Sequence, residues 1–360
     1  MLYICRHVHF LCDISPKVSN ISMYNILFYA CGCILRTRYV CLVKTVMMFL
    51  HNSTTEKSYN SFAEEAQRKL TWLSTRLRVL AHNILADQGV KTYRMGMNQF
   101  SDMIYFLTPE MIQHSSMSSV NASIHFSSLT EQPRIPSGYP LLPASVDWRQ
   151  KGCVMKVKDQ HQCGSCWAFT AVLESHTCIE HGYLPSLSEQ QLLDCSRAYG
   201  NHGCHGGIET QAFQYVTDNG GIDTDEAYPY EINSGHKDAY CRFKPSGVGA
   251  LCHGHVELPY GDEEALKETV AFVGPVAVAI DAGQSSFQHY VSGVLYDLHC
   301  SKTITNHVVL LVGYGTEDGQ DYWLVKNSWG VHWGDQGYLK MSRNQNNQCG
   351  IASYATYPQV

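Results

Sequence analysis

The clearest periodic pattern of hydrophobic and polar positions lies between residues 56 and 83. Leu70, Leu73, Leu77 and Leu80 recur at helical spacing and form an apolar face. A second stripe keeps spacings of four, four, seven and four, and consists of Glu64, Arg68, Trp72, Val79 and Asn83. Residues at these intervals share one side of a helix. The pattern predicts one helix over about 56–83, separated by Gly89 from the segment that follows.

Two apolar runs near the C-terminus predict buried strands. Residues 307–315 read His-Val-Val-Leu-Leu-Val-Gly-Tyr-Gly, and residues 322–326 read Tyr-Trp-Leu-Val-Lys. Runs that are apolar at every position, rather than alternating, indicate strands covered on both faces. His307 lies at the mouth of the first run, and Asn327 directly follows the second. Both polar side chains are therefore candidates for a site at the sheet edge.

Between the helix and the strands, the composition indicates a tether. Residues 115–128 contain seven serines in fourteen positions, and residues 133–143 contain four prolines. Such segments favour extended, poorly packed chain. We therefore place domain boundaries so that residues 1–50 are an N-terminal targeting segment of uncertain character, 51–141 a small helical domain with its tether, and 142–360 the main domain.

The N-terminal segment carries the weakest signal. Residues 18–35 carry no charge and resemble the apolar region of a signal peptide, with Ala30 and Gly32 as small residues near a cleavage point. The same stretch is marginal as a membrane anchor, since about 20 apolar residues are needed to span a bilayer. A third reading is that the first 45 residues are not part of the folded protein. We expect a secretory protein and do not expect membrane anchoring.

Composition and cysteine usage narrow the class of protein. The chain has 360 residues, a net charge of −6, 44% hydrophobic residues and 16% charged residues, which excludes a disordered chain and gives no basis for nucleic-acid binding. Of fifteen cysteines, five lie in residues 1–50, none in 51–141 and ten in 142–360. That density favours an oxidising compartment, and we expect the lysosome or the extracellular space.

The segment from Gln160 to Phe169 contains the candidate nucleophile. It reads Gln-His-Gln-Cys-Gly-Ser-Cys-Trp-Ala-Phe, and the apolar run after Cys166 predicts the start of a helix. A cysteine at a helix N-terminus has a lowered pKa because of the helix dipole, and its thiolate is a nucleophile. His307 would act as the base, and Asn327 would orient the imidazole. The three residue types fit the logic of a nucleophile, a base and an orienting group.

These motifs resemble the papain-like cysteine proteases, most closely the cathepsin L and cathepsin S group, and the resemblance covers about residues 55–360. The long helix is similar to the family's interrupted Glu-Arg-Phe-Asn-Ile-Asn motif, with Trp72 at the Phe place, Val79 at the Ile place and Thr75 at the first Asn. A second prodomain motif is matched by Gly96, Asn98, Phe100 and Asp102.

The resemblance implies an α+β, papain-like two-lobed fold preceded by a helical inhibitory prodomain. The helical lobe would carry Cys166, and the β-barrel-like lobe would carry His307 and Asn327. The implied function is a cysteine endopeptidase made as a zymogen. The alternative is a catalytically weak or inactive family member that acts as a binding protein.

The resemblance also assigns roles around the cleft. Gln160 would supply an oxyanion-hole side chain, Trp329 would shield the His–Asn hydrogen bond, and Trp333 would line the leaving-group side. Gly206 and its neighbour Gly207 would lie beside extended substrate. The pocket for the second residue before the scissile bond would be lined by Ile208, Glu209, Ala279, Thr305, Val308 and Tyr354.

Two roles for Glu209 remain open. It stands at a place where relatives often have Met. In one reading it points into solvent at the pocket rim and has no effect. In the other it accepts Lys or Arg through a charge-assisted hydrogen bond.

The remaining cysteines are assigned by the same resemblance. It implies the disulfides Cys163–Cys204, Cys195–Cys241 and Cys300–Cys349, with Cys153, Cys178 and Cys252 free besides Cys166. Two other chemistries are disfavoured. The Cys163-x-x-Cys166 pair lacks the context of a redox motif, and His202, Cys204 and His205 lack a second paired ligand element for zinc. We expect no metal and no cofactor.

One departure from the family pattern concerns the segment after Trp167. It is about two residues shorter than in the family, and removing two residues rotates the rest of a helix by about 200°. We expect either a shifted helix register or an unwound end near Gly182 and Pro185. The expected partners are peptide and protein substrates, the chain's own propeptide and cystatin-like inhibitors, and the expected state is a monomer.

Overall fold

The computed structural model describes residues 57–103, 141–169, 171–231 and 240–360. The predictions for the targeting segment and for the serine-rich tether concern residues outside these ranges. The described residues form helices, a large sheet and two hydrophobic clusters. Within them, no helix is both long and apolar enough to cross a membrane.

The predicted N-terminal helix is present as α1, Phe62–Asp87. Its buried residues are Trp72, Thr75 and Val79, so the inward side is the second stripe of the sequence pattern. Leu70, Leu77 and Leu80 are exposed instead. The leucines therefore do not mark the core-facing side of this helix.

The short strand β1, Tyr93–Met95, ties the segment of residues 57–103 to the large sheet. It pairs antiparallel with β7, Tyr290–Leu295. At Gly293 the backbone has φ +84°, and a Cβ there would lie 2.4 Å from the Thr92 carbonyl oxygen. Only glycine permits this close approach of the two strands.

The helical lobe contains α2 (Val172–His181), α3 (Glu189–Cys195) and α4 (Glu209–Asn219). The helix α3 begins after Ser188, whose hydroxyl accepts the Gln191 N–H, which satisfies one of the free donors at a helix start. A 3₁₀ turn covers Arg197–Tyr199, and a two-stranded sheet joins β3 (Ile222–Asp223) to β4 (Val248–Ala250).

A nine-stranded sheet forms the second lobe. Its path runs β1-β7-β10-β9-β8-β6-β11-β5, and β2 pairs with β8 off this path. The remaining elements are β2 (Val146–Asp147), β5 (Gly254–Glu257), α5 (Glu263–Phe272), β6 (Val276–Ile280), α6 (Ser285–Gln288), β8 (His307–Glu317), β9 (Gln320–Lys326), β10 (Tyr338–Ser342) and β11 (Ala355–Gln359), with 3₁₀ turns at Pro245–Gly247 and Gln348–Gly350.

The long strand β8 shows why the predicted run is apolar at every position. Val309 and Leu311 pack into one hydrophobic cluster, whereas Val308, Leu310 and Val312 pack into the other. Successive side chains point to opposite faces of a strand, so both faces of β8 are covered. This strand begins at His307.

Candidate active site

A cavity of about 290 Å³ brings the candidate catalytic residues together. Cys166, His307 and Gln160 all line it. Cys166 follows a turn in which the Gly164 N–H donates to the Cys204 carbonyl at 2.8 Å, and a Cβ on Gly164 would lie 2.5 Å from that oxygen. His307 is the first residue of β8, and Asn327 directly follows β9.

The His307 imidazole is held from behind by Asn327. Imidazole Nε2 lies 2.8 Å from Asn327 Oδ1, and the Ser328 backbone N–H donates to the same oxygen at 2.8 Å. Because Oδ1 accepts, Nε2 carries the hydrogen, and Nδ1 of the neutral ring is left as a proton acceptor. The Trp329 ring packs against the imidazole with centroids 4.8 Å apart. This contact covers the His–Asn pair, which is where the sequence analysis placed Trp329.

Burial sets the protonation of the two reactive groups. Loss of hydration lowers the pKa of His307 to about 4, although the bond to Asn327 acts in the opposite direction. Burial also raises the pKa of the Cys166 thiol to about 11. Both shifts favour the neutral form of each group.

The helix expected to begin at Cys166 begins later. Residues 165–169 form turns, Ala171 has φ +54°, and α2 starts at Val172. The C-terminal end is regular, since the Gly182 N–H bonds to the Cys178 carbonyl at 2.9 Å. The expected unwinding near Gly182 is therefore not observed. The expected lowering of the Cys166 pKa is wrong, because burial raises it.

Gln160 is buried, and both the nitrogen and the oxygen of its side-chain amide are hydrogen-bonded. Its Nε2 donates to the Cys163 carbonyl at 2.7 Å, and its Oε1 accepts the Ser328 hydroxyl at 2.6 Å. The amide orientation is therefore set by the two partners. One of its two N–H groups is used by Cys163, which leaves the other for a group in the cavity.

The structure places most of the expected substrate-binding residues in the same cavity. Those that line it are Gly206, Gly207, Ile208, Glu209, Ala279, Thr305, Val308 and Tyr354. Trp333 differs from the expectation, because it is completely buried and its indole N–H donates to the Gln288 carbonyl at 3.1 Å. Its ring packs against Trp329 and Phe287 beneath the surface.

The cavity also contains residues that the sequence analysis missed. Glu257, Leu258 and Tyr260 reach it from β5 and the loop that follows. No motif marks this loop, and its approach to Cys166 depends on the tertiary fold. Glu209 likewise differs from one expectation, since only 6% of it is exposed and burial raises its pKa. The reading in which it points into solvent is wrong.

Four disulfides lie in the described residues. Three join the pairs that the resemblance implies, Cys163–Cys204, Cys195–Cys241 and Cys300–Cys349. The fourth joins Cys153 to Cys178, so the expectation that these two are free is wrong. Their Cα atoms lie 5.4 Å apart, within the range a disulfide spans. Cys166 and Cys252 are free.

One disulfide bears on both of the disfavoured chemistries. Cys163 and Cys204 are bonded to each other, so Cys163 is not paired with Cys166 and Cys204 offers no thiolate to a metal. In the ranges that the structure describes, no group of three or more His, Cys, Asp or Glu side chains is placed to hold a metal ion.

Comparison with known proteins assigns the chain to a family. Residues 142–359 match the papain family cysteine proteases, and residues 51–105 match the cathepsin propeptide inhibitor domain. The chain is 47% identical to cathepsin S of Bos taurus over 325 residues, covering 86% of this chain and 91% of that protein. It is also 47% identical to cathepsin L of Sarcophaga peregrina over 307 residues, covering 84% and 89% respectively.

Solved structures also resemble this chain over most of its length. The digestive procathepsin L2 proteinase of Tenebrio molitor larval midgut superimposes with a TM-score of 0.78 at 41% identity, covering 88% of this chain and all of that one. Procathepsin L 3 from the same midgut gives a TM-score of 0.76 at 41% identity, covering 88% of this chain and 99% of that one. The chain therefore belongs to the papain family of cysteine proteases, and it is a cysteine endopeptidase made as a zymogen with a propeptide inhibitor domain.

Proposed function

We propose that Cys166 is the nucleophile of peptide hydrolysis and that His307 is its acid and base. The observation that carries this is one cavity lined by Cys166 and His307, with Asn327 bonded behind the imidazole. His307 Nδ1 takes the proton from Cys166 Sγ, and the thiolate attacks the substrate carbonyl carbon. The imidazolium then gives that proton to the leaving amine as the C–N bond breaks. Water hydrolyses the resulting thioester, with His307 again acting as base.

Gln160 stabilises the oxyanion together with the Cys166 backbone N–H. Its amide is held by Cys163 and Ser328, so the remaining N–H needs no reorganisation when charge develops on the carbonyl oxygen. Such a preorganised donor is worth about 3 kcal/mol of transition-state stabilisation.

Extended substrate lies along Gly206 and Gly207, with the second residue before the scissile bond in the adjoining pocket. Its walls include Ile208, Ala279 and Val308, which favour branched aliphatic side chains at about 0.8 kcal/mol per buried methylene. The Tyr354 ring reduces the room for large aromatic side chains.

Residues 51–141 serve as the inhibitory propeptide, and residues 142–360 form the mature peptidase. The contacts of the described prodomain residues support this division. The Asn98 side chain donates to the Gln288 carbonyl at 2.7 Å, and the Phe100 ring packs edge-on against Trp329 at 5.2 Å. The propeptide thus contacts Trp329, the residue that covers the His307–Asn327 pair.

The enzyme works in the lysosome or outside the cell on peptide and protein substrates, as a monomer that cystatin-like inhibitors block. The four disulfides support an oxidising route. The resemblance to cathepsins supports the proposed location, substrates, inhibitors and monomeric state.

The roles are tested after the propeptide has been removed by an added protease, so that inactive variants are processed like the parent, and with a peptide-like epoxide that labels reactive thiols. Cys166→Ser should lose peptide hydrolysis and labelling, because a hydroxyl has no thiolate fraction. Cys252→Ser is the matched control, since Cys252 is the other free cysteine of the described residues and lies outside the cavity. Full activity of Cys166→Ser would overturn the assignment. An unlabelled, inactive parent enzyme would favour the alternative of a binding protein.

A further inference from the structure

The pocket beside Cys166 contains a buried acid that the mechanism does not use. Glu209 is the first residue of α4, lines the cavity and is only 6% exposed. Within the described ranges, no Lys, Arg or His lies at ion-pair distance from its carboxylate, and its own backbone N–H is a favourable contact. A buried carboxylate without a cation is costly unless it gains a partner.

The cavity as a whole has the charge pattern of a site for a cation. Its described lining contains two carboxylates, Glu209 and Glu257, and no Lys or Arg. Glu257 already has a partner, because His255 Nε2 lies 3.7 Å from its Oε1, and 69% of its side chain is exposed. A positively charged substrate side chain therefore gains the most binding free energy at Glu209.

The walls next to this acid suit a long side chain with a charged end. Tyr260 and Tyr354 pack edge to face with ring centroids 5.7 Å apart, and Ala279 and Val308 are apolar. Methylene groups of Lys or Arg pack on such walls while the charged head reaches a polar group. A guanidinium also binds favourably over a tyrosine ring.

We propose that Glu209 makes the pocket for the second residue before the scissile bond accept Arg and Lys, in addition to aliphatic side chains, through a charge-assisted hydrogen bond. This inference rests on the proposed function, since it concerns the same cavity. It assigns to Glu209 a role in specificity and none in the chemical step.

The proposal predicts that specificity depends on pH. Burial raises the pKa of Glu209, and the nearby Glu257 raises it further, whereas the residue's own backbone N–H and His255 lower it. The other titratable groups around Glu209 are Cys166 and His307 in the cavity, and Glu174 and Glu189, which share a smaller cavity of about 40 Å³ with it. The carboxylate that binds a cation forms as pH rises, so preference for Arg over Leu should increase with pH.

The test compares two fluorogenic peptides that differ only in Arg or Leu at the second position. We would measure kcat/KM for the enzyme freed of its propeptide between pH 4.5 and 7.5, with the active enzyme counted by epoxide titration. The ratio of Arg to Leu cancels the shared titration of Cys166 and His307. It should rise with pH in the parent. In Glu209→Gln it should be lower by about tenfold at the upper end and independent of pH, as expected for loss of a bond to a charged group.

Glu226→Gln is the matched control, because it removes an exposed acid that does not line the cavity, and it should leave the pH-dependent ratio in place. A ratio that is unchanged in Glu209→Gln, or a parent ratio that does not vary with pH, overturns the inference. The second outcome is measured on the parent enzyme alone, so it does not depend on whether a variant folds. If neither peptide is cleaved, the proposed function fails instead.

Discussion

His307 and Asn327 lie twenty residues apart in sequence, yet one hydrogen bond of 2.8 Å joins their side chains. The strands β8 and β9 pair antiparallel, and this pairing carries the two residues to the same end of the sheet. Trp329 covers the pair. The orientation of the imidazole is thus a product of strand register and not of a local motif.

The first prediction concerns this bond. Asn327→Ala should lower kcat/KM by about tenfold to a hundredfold, because the imidazolium loses its partner during catalysis. Asn327→Asp should retain more activity and shift the acid limb of the pH profile upward, since a carboxylate favours the charged ring. Asn344→Ala, at an exposed asparagine bonded to Asp321, is the control. Equal pH profiles for parent and Asn327→Asp would show that the bond does not hold the imidazole.

The second prediction concerns the pH dependence of the proform. His289 lies where the prodomain meets the main domain, and its carbonyl accepts the Gly96 N–H at 2.8 Å. Its imidazole Nε2 is buried without a partner, and burial lowers its pKa to about 4. As pH falls, the His289 imidazole therefore takes up a proton at a higher pH in the unfolded state than in the folded state. The free energy of unfolding should then fall between about pH 6.5 and pH 4, by about 3 kcal/mol for this group.

Urea unfolding of the inactive Cys166→Ala proform at pH 7 and pH 4.5 measures this loss. His289→Phe should reduce the difference between the two pH values, whereas His299→Phe, at a largely exposed histidine, should not. His307 contributes in the same direction, because its pKa is also lowered to about 4. The idea fails if His289→Phe leaves the pH dependence of unfolding unchanged.

The third prediction concerns the fourth disulfide. Cys153 and Cys178 are separated by 25 residues, and the bond ties the segment before Gln160 to α2. Replacing both by serine should lower the free energy of unfolding by about 3 kcal/mol, because the unfolded chain regains the freedom of that loop. Cys252→Ser removes a free thiol and no cross-link. Peptide mapping of the parent without reduction should recover the Cys153 and Cys178 peptides joined, and their recovery as free thiols would contradict the structure.

The parts of the fold predicted well from sequence are those with a strong local pattern. The run that became β8 is apolar throughout because both of its faces pack into clusters. The segment around Cys166 and the position of Asn327 carry motifs that need no tertiary information. These features placed His307 and Asn327 at the correct ends of their strands, whereas Cys166 lies before α2 and not at its first residue.

The errors have a common physical origin, which is tertiary packing that overrides local pattern. The leucines of α1 have helical spacing, but the buried side is set by Trp72 and Val79. Spacing does not show that Cys153 and Cys178 meet. The apolar run after Cys166 did not show that α2 starts only at Val172. Trp333 is buried because Phe287 and Trp329 pack over it.

The last prediction concerns a buried group of charges beneath the segment that leads to Gln160. Lys158 Nζ lies 2.9 Å from Glu174 Oε1 and 2.6 Å from Glu189 Oε1, and it also donates to the Leu187 carbonyl. Glu174 Oε2 is buried without a partner. Lys158 therefore bonds to two acids that are both almost completely buried, and a second buried lysine, Lys326, also interacts electrostatically with both.

Lys158→Met should lower the free energy of unfolding by about 3–5 kcal/mol, because it leaves those two carboxylates without their shared cation. Adding Glu189→Gln to that variant should restore part of the loss, since it removes one of the unpaired charges. Lys302→Met, at an exposed lysine, should change stability by less than about 0.5 kcal/mol. Urea unfolding of the Cys166→Ala proform measures all three variants. A Lys158→Met protein as stable as the parent would show that the two glutamates are neutral without the lysine, and that the group of charges does not hold this part of the fold together.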